Sequence, residues 1–369
     1  MKNIASIYIV LSFCVYLILS STVFLICKDI YIHIEKKKSI KLRKEYKPLI
    51  LKHFEYTENQ KKISQIEINN IKELLKKRLG FKIFNNIIIE YNDINKKHDV
   101  TKRYMSNFEN EIITTLKKYK RKDNILKNYM VFILGEYRLT NYEINSFLIE
   151  CLTTKSMYLT ISSLTTIAKI GNAKQFIRAL KVISKNEKHI NNKILNDILD
   201  QFSGDMKELN SIMNSYRDFS ESIQKSIVEY FKENKNKTSK DIFLELLQSD
   251  ISKEVRISII KYFGVIKSEE AKNIIISILK NENWEYRAVC ATALMNYTDD
   301  DTKDIMFESI KDKNWYVRYN SAVCLLEFDN EDVIDTVIES KDKYAIDILN
   351  YAISVKNKTN KETEVCSYA

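Results

Sequence analysis

Read from its start, the chain opens on an uncharged run from Ile4 to Cys27, built mainly of Ile, Leu, Val, Phe and Tyr. As a helix rising 1.5 Å per residue, these 24 residues span about 36 Å, enough to cross a hydrocarbon core of about 30 Å. The run is longer than a signal-peptide core and has no small-x-small cleavage site, and Ile26 stands where a lipoprotein signal needs a small residue. Further along, Ile63, Ile66, Ile71, Leu74, Leu75 and Leu79 make an apolar stripe that predicts a helix closed by Gly80, with a second helix over Phe81 to Tyr91. Towards the C-terminus the stripes become regular: Ile242, Phe243, Leu246 and Leu247; Ile274, Ile275, Ile278 and Leu279; Ile305, Met306 and Ile310; Val333, Ile334, Val337 and Ile338. At 100° per residue the faces opposite carry Asp241 and Glu245, then Asn273 and Ser277, then Asp301, Asp304 and Glu308, then Asp332, Asp335 and Glu339.

Between these stripes a short signature is repeated. Asp250-x5-Arg256 is followed by Asn281-x5-Arg287 and Asp312-x5-Arg318, one unit every 31 residues. Trp284 and Trp315 open equivalent stretches, and each Arg is followed by Ile, Ala, Cys or Leu at helical spacing. Each unit therefore predicts a helical hairpin. A weaker copy, Ser220 to Phe231, matches Ser252 to Phe263 at an offset of 32. Gly135, Gly171, Gly204 and Gly264 are expected to end first helices in a left-handed conformation. After Phe328 one degenerate unit remains, in which Asp347 stands in place of the Arg, and the polar segment 356–369 is expected to be disordered.

With Asp312 in the turn, Val317-Arg318 opening a helix, Ala322 at a small position and Leu325 in the core, the signature resembles the HEAT repeat family in its short, PBS-lyase-like variant. The period is shorter than the roughly 40 residues of standard HEAT units. The resemblance implies an all-α chain: a single N-terminal transmembrane helix followed by an α-solenoid of HEAT-like hairpins. It also implies a structural ladder of Asp250, Arg256, Asn281, Arg287, Asp312 and Arg318, with turn Asp or Asn bonding Arg between neighbouring repeats, and second helices lining a concave surface. The expected division is an anchor at 1–28, a basic juxtamembrane segment at 29–47, a helical region at 48–122, the repeat array at 123–355 and the tail at 356–369.

Composition agrees with helices. Among 369 residues there are five Gly and one Pro, too few for a loop-rich sheet protein. The six Cys show no paired spacing and the four His are scattered, which predicts free thiols in a reducing compartment and no zinc site. Net charge is +10, but much of the excess flanks the apolar run. Lys2 precedes it, whereas Lys28, Lys36, Lys37, Lys38, Lys41, Arg43, Lys44 and Lys47 follow. The positive-inside rule then puts the N-terminus outside and the body in the cytoplasm of a single-pass cell-membrane protein. Attraction of the same run to anionic headgroups is the other reading. Lys117 to Lys122, with Tyr119 interleaved, reads as a solvated helix end rather than a nucleic-acid patch.

No phosphate loop, nucleophile elbow, HExxH helix or GxGxxG turn is present in the sequence. No enzyme activity and no cofactor are expected. Trp284 and Trp315 read as packing against the inter-repeat turns, with a ligand-stacking ridge as the alternative. Two function classes remain. The first is a membrane-anchored cytoplasmic scaffold that binds a protein partner and no nucleic acid. By resemblance, single-span HEAT proteins look like accessories of membrane enzymes such as envelope polysaccharide glycosyltransferases. The second is a membrane-tethered repeat-fold enzyme or nucleic-acid-binding module. Within the first class, Asp301, Asp304, Glu308, Asp332, Asp335 and Glu339 form a candidate acidic surface for a basic cytoplasmic segment of a membrane partner.

Overall fold

A computed structural model describes residues 2–204, 206–328 and 330–367, without the side chains of 2–10, 12, 206, 330–331 and 359–367. Every regular element among the described residues is a helix. The chain divides into two compact units, Met1–Ile170 and Gly171–Ala369.

The first unit contains α1 (Lys2–Glu58), α2 (Gln65–Lys76), α3 (Arg78–Asn95), α4 (His98–Met105), α5 (Glu109–Tyr119), α6 (Asn124–Tyr137), α7 (Tyr142–Leu152) and α8 (Met157–Ile170). Helix α1 is unbroken for 57 residues and continues through Pro48. It contains an apolar window long enough to cross a membrane, and none of that window is buried. The described side chains from Leu11 to Ile34 stand exposed, and full burial begins only at Ile50, His53 and Phe54. There Phe54 stacks on Tyr91 of α3 and tilts against Tyr104 of α4. Arg43 and Lys47 each reach Glu90 of α3 at 2.6 Å. The apolar run, the basic segment and the first core residues of the body are thus carried by one helix.

The second unit contains α9 (Ala173–Lys185), α10 (Asn192–Asp200), α11 (Met206–Asn210), α12 (Glu221–Glu233), α13 (Lys240–Leu247), α14 (Lys253–Val265), α15 (Glu269–Asn281), α16 (Trp284–Leu294), α17 (Asp300–Ser309), α18 (Trp315–Leu325), α19 (Asn330–Glu339) and α20 (Lys343–Ser367). The first helices α10, α12, α14, α16, α18 and α20 pack each on the next, while α15 packs mainly on α16 and α17 on α18. Small side chains make this stacking close: Ala288, Cys290, Ala291 and Ala293 in α16, and Ser321, Ala322 and Cys324 in α18, are buried. Caps divide the hairpins. Ser268 accepts a bond from the Ala271 N–H, Asp299 from Thr302 and Asn314 from Tyr316, each satisfying an N–H that the helix leaves free.

One local expectation is corrected. The glycines do not close helices in left-handed conformations, since none of those described has a positive φ; that role falls to Gln60, Lys96, Arg138, Glu187, Lys235 and Lys341. Gly80 lies in the first turn of α3, after α2 has ended. Gly135 and Gly264 sit inside α6 and α14 because the neighbouring first helix leaves no room. A Cβ on Gly264 would lie 3.0 Å from the Ala293 Cα, and one on Gly135 3.2 Å from the Thr166 Oγ1.

Candidate functional site

The repeat signature places its charges at the seams between hairpins. The Arg287 guanidinium, on the first turn of α16, donates from Nε and Nη2 to both carboxylate oxygens of Asp312 in the next hairpin, at 2.8 and 2.9 Å, and from Nη1 to the Glu282 carbonyl at 2.7 Å. Both side chains are largely buried, at 11 and 15% exposure. Asp312 also accepts the Asn314 N–H at 2.7 Å. Burial would raise the Asp312 pKa, but Arg287 and that N–H outweigh it and hold the carboxyl below its usual value. Arg256 makes a looser contact, 3.3 Å to Glu282, and lies over the Tyr286 ring. Arg318 donates to the Asp312 and Lys313 carbonyls and lies over the Tyr344 ring. Asn281 turns back on the Ser277 carbonyl, and Asp250 is exposed, so the structure brings neither to an Arg.

The six candidate acids are all exposed, but the structure divides them. Lys272 of α15 reaches Asp299 at 2.8 Å and Asp301 at 3.4 Å, Lys280 reaches Glu308 at 3.8 Å, and Lys303 of α17 reaches Asp332 at 3.9 Å. Lys272 itself is buried: desolvation would lower its pKa, and the two aspartates hold it above the ordinary value instead. Asp301, Glu308 and Asp332 are therefore partly spent on lysines of the preceding hairpin. Asp304, Asp335 and Glu339 stand exposed on α17 and α19, outside these lysine pairs. The positions 299–351 hold fourteen acidic residues against six basic ones in a chain of net charge +10.

A second surface lies on the first helices. The rings of Trp284 and Tyr316 stack with centroids 5.7 Å apart, and those of Trp315 and Tyr319 at 5.1 Å. Trp315 meets Tyr316 edge-on, and Tyr351 of α20 meets Trp315 and Tyr319. Trp284, Trp315, Tyr316 and Tyr351 keep between 41 and 56% of their surface open. Trp284 packs onto Tyr316 across the seam, whereas Trp315 stacks on Tyr319 of its own helix and meets Tyr351 edge-on across the next seam. Sequence reasoning singled out the tryptophans and missed the tyrosines. The available signal was Tyr344 and Tyr351, seven residues apart on a polar helix face.

Residues 273–348 match the family model for HEAT repeats. These units are HEAT repeats. No curated protein matches the chain. HEAT repeats in general serve as protein-interaction scaffolds, because stacked hairpins expose long continuous faces. Burial pushes the Cys324 thiol up to about 12 and Cys290 higher still, so neither is a ready nucleophile at neutral pH. Cys151 in the first unit is likewise raised to about 12. Among the described residues no group of His, Cys, Asp and Glu is arranged to hold a metal ion.

Proposed function

We propose that this protein is a membrane-anchored scaffold whose HEAT repeats dock a protein partner at the cytoplasmic face. The observation that carries this reading is α1, a single helix that passes from a wholly exposed apolar window into the core beside Phe54, Tyr91 and Tyr104. A helix of that kind couples a membrane span rigidly to the body. The cations after the span orient it with the body inside. The partner is a membrane protein with a Lys/Arg-rich cytoplasmic segment, and the resemblance to single-span HEAT proteins suggests an accessory role beside a membrane enzyme such as an envelope polysaccharide glycosyltransferase. Asp304, Asp335 and Glu339 receive the segment first, because they lie outside the lysine pairs, with Asp301, Glu308 and Asp332 extending the surface.

The test combines topology with charge reversal. A reporter active only in the cytoplasm, fused after Ala369, should function, and Asp304→Lys/Asp335→Lys/Glu339→Lys should abolish salt-sensitive co-purification of the partner while helicity stays at the wild-type level. An exported reporter refutes the orientation. Co-purification that survives reversal, or that ignores salt, refutes the acidic surface.

A further inference from the structure

We infer that the aromatic ridge over α16, α18 and α20 is a binding site for arginine side chains of an extended partner segment, centred on Asp347. This rests on reading the HEAT repeats as a peptide-docking scaffold and assigns to it a second contact surface. On α20, Tyr344, Asp347 and Tyr351 follow at spacings of three and four, which puts them on one helix face, and all three are exposed. Asp347 makes no ion pair among the described residues. Tyr351 joins this face to Trp315 and Tyr319 of α18, and Tyr316 carries it on to Trp284 of α16. The result is a carboxylate framed by open aromatic faces on the most acidic stretch of the chain.

That chemistry selects a cation, and among cations a guanidinium. The face of an aromatic ring attracts positive charge. A planar, weakly hydrated guanidinium stacks on a ring while pairing a carboxylate, whereas an ammonium is more strongly hydrated and cannot stack flat. The protein uses this pairing internally: Arg318 lies over Tyr344 at 5.6 Å and Arg256 over Tyr286 at 5.1 Å. Tyr344 remains 72% exposed beside Asp347 even with Arg318 upon it, so a second guanidinium has an open face to reach. Among the described residues no cation lies over Trp284, Trp315 or Tyr351, and those faces are the vacant positions of the same pattern.

The tryptophans report on it directly, because Trp284 and Trp315 are the chain's two tryptophans and both lie in the ridge. The full chain in a non-ionic detergent is titrated, with tryptophan emission as readout, against three end-blocked peptides: alternating arginine and glycine, alternating lysine and glycine, and polyproline. The arginine peptide should give a saturable change and bind several-fold tighter than the lysine peptide. Tyr351→Leu and Asp347→Asn should each weaken it by about three- to thirtyfold, while Tyr351→Phe, which keeps the ring, should bind as wild type. Asp335→Asn/Glu339→Gln should weaken both basic peptides by the same factor and leave the preference for arginine intact. No emission change with the arginine peptide overturns the inference, as does tighter binding of polyproline. Equal affinity for arginine and lysine, unaffected by Tyr351→Leu, also overturns it, while leaving the acidic scaffold reading to stand or fall on co-purification.

Discussion

Arg287→Ala removes three hydrogen bonds at one seam: two to Asp312 and one to the Glu282 carbonyl. Bonds involving a charged partner contribute about 1.5–3 kcal/mol, and stranding the other partner adds its desolvation. Asp312 keeps only the Asn314 N–H and is 15% exposed, so a loss of about 2–4 kcal/mol is expected. In a unit of this size that lowers Tm by roughly 4–16 °C. The pH dependence adds a second check. Asp312 has a depressed folded pKa, so its contribution is present above the unfolded value of about 3.9 and disappears as pH falls through the folded one. The difference between wild type and variant should therefore be full at neutral pH and shrink below about pH 4. Urea denaturation of Arg287→Ala, Asp312→Ala and the double variant measures the coupling. A coupling energy near zero, or an unchanged Tm with loss of partner binding, would show that Arg287 is a recognition residue rather than a clamp.

Gly264→Ala should destabilise by about 1–3 kcal/mol, because its Cβ meets the Ala293 backbone at 3.0 Å; Gly135→Ala, opposed by a Thr166 side chain at 3.2 Å, should cost less, and the reverse order in denaturation would refute the packing role. His53 is fully buried, with Nδ1 3.1 Å from the Tyr104 hydroxyl and Nε2 3.4 Å from Glu67. Desolvation lowers its pKa despite Glu67, so the unfolded chain takes up the proton first and stability should fall as pH drops below about 6.5. His53→Asn should flatten that slope between about pH 6.5 and 5, and an equal slope in the variant would assign the effect elsewhere.

The hairpins were legible because their causes are local and periodic. Apolar stripes at helical spacing, the Val-Arg signature and a fixed period each follow from one helix packing on the next. The Arg287–Asp312 partnership was legible in kind, because the repeated signature sets a turn carboxylate of one unit beside the first-helix Arg of the unit before it. The glycines were misread for the opposite reason: in sequence, a glycine that ends a helix and one that admits a neighbouring helix look the same, and only the distance to Ala293 or Thr166 separates them. The acidic positions were visible as a charge pattern, yet sequence alone could not assign Lys272, Lys280 and Lys303 to Asp301, Glu308 and Asp332, because each lysine has several carboxylates within a plausible reach. Lys272 shows the difficulty best, being both paired and buried on a face that reads as solvated.

The seams also run one way. In every ion pair between 217 and 332 among the described residues, the cation comes from the earlier hairpin and the carboxylate from the later one. Several of the acids, Glu254, Glu270, Glu285 and Asp301, fall in helix N-terminal turns, where the helix dipole favours them. Most of these pairs are too exposed to contribute much singly, but a one-way ladder must end on an unmatched cation. Arg256 finds Glu282 at an offset of 26 and Arg287 finds Asp312 at 25. At the same offsets Arg318 meets Lys343 and Tyr344, so it turns to backbone carbonyls and to the Tyr344 ring. The aromatic ridge thus begins where the carboxylate ladder stops: tyrosine replaces the acid as the arginine's neighbour, and Asp347, one turn further along α20, makes no ion pair among the described residues and lies on a face of open rings.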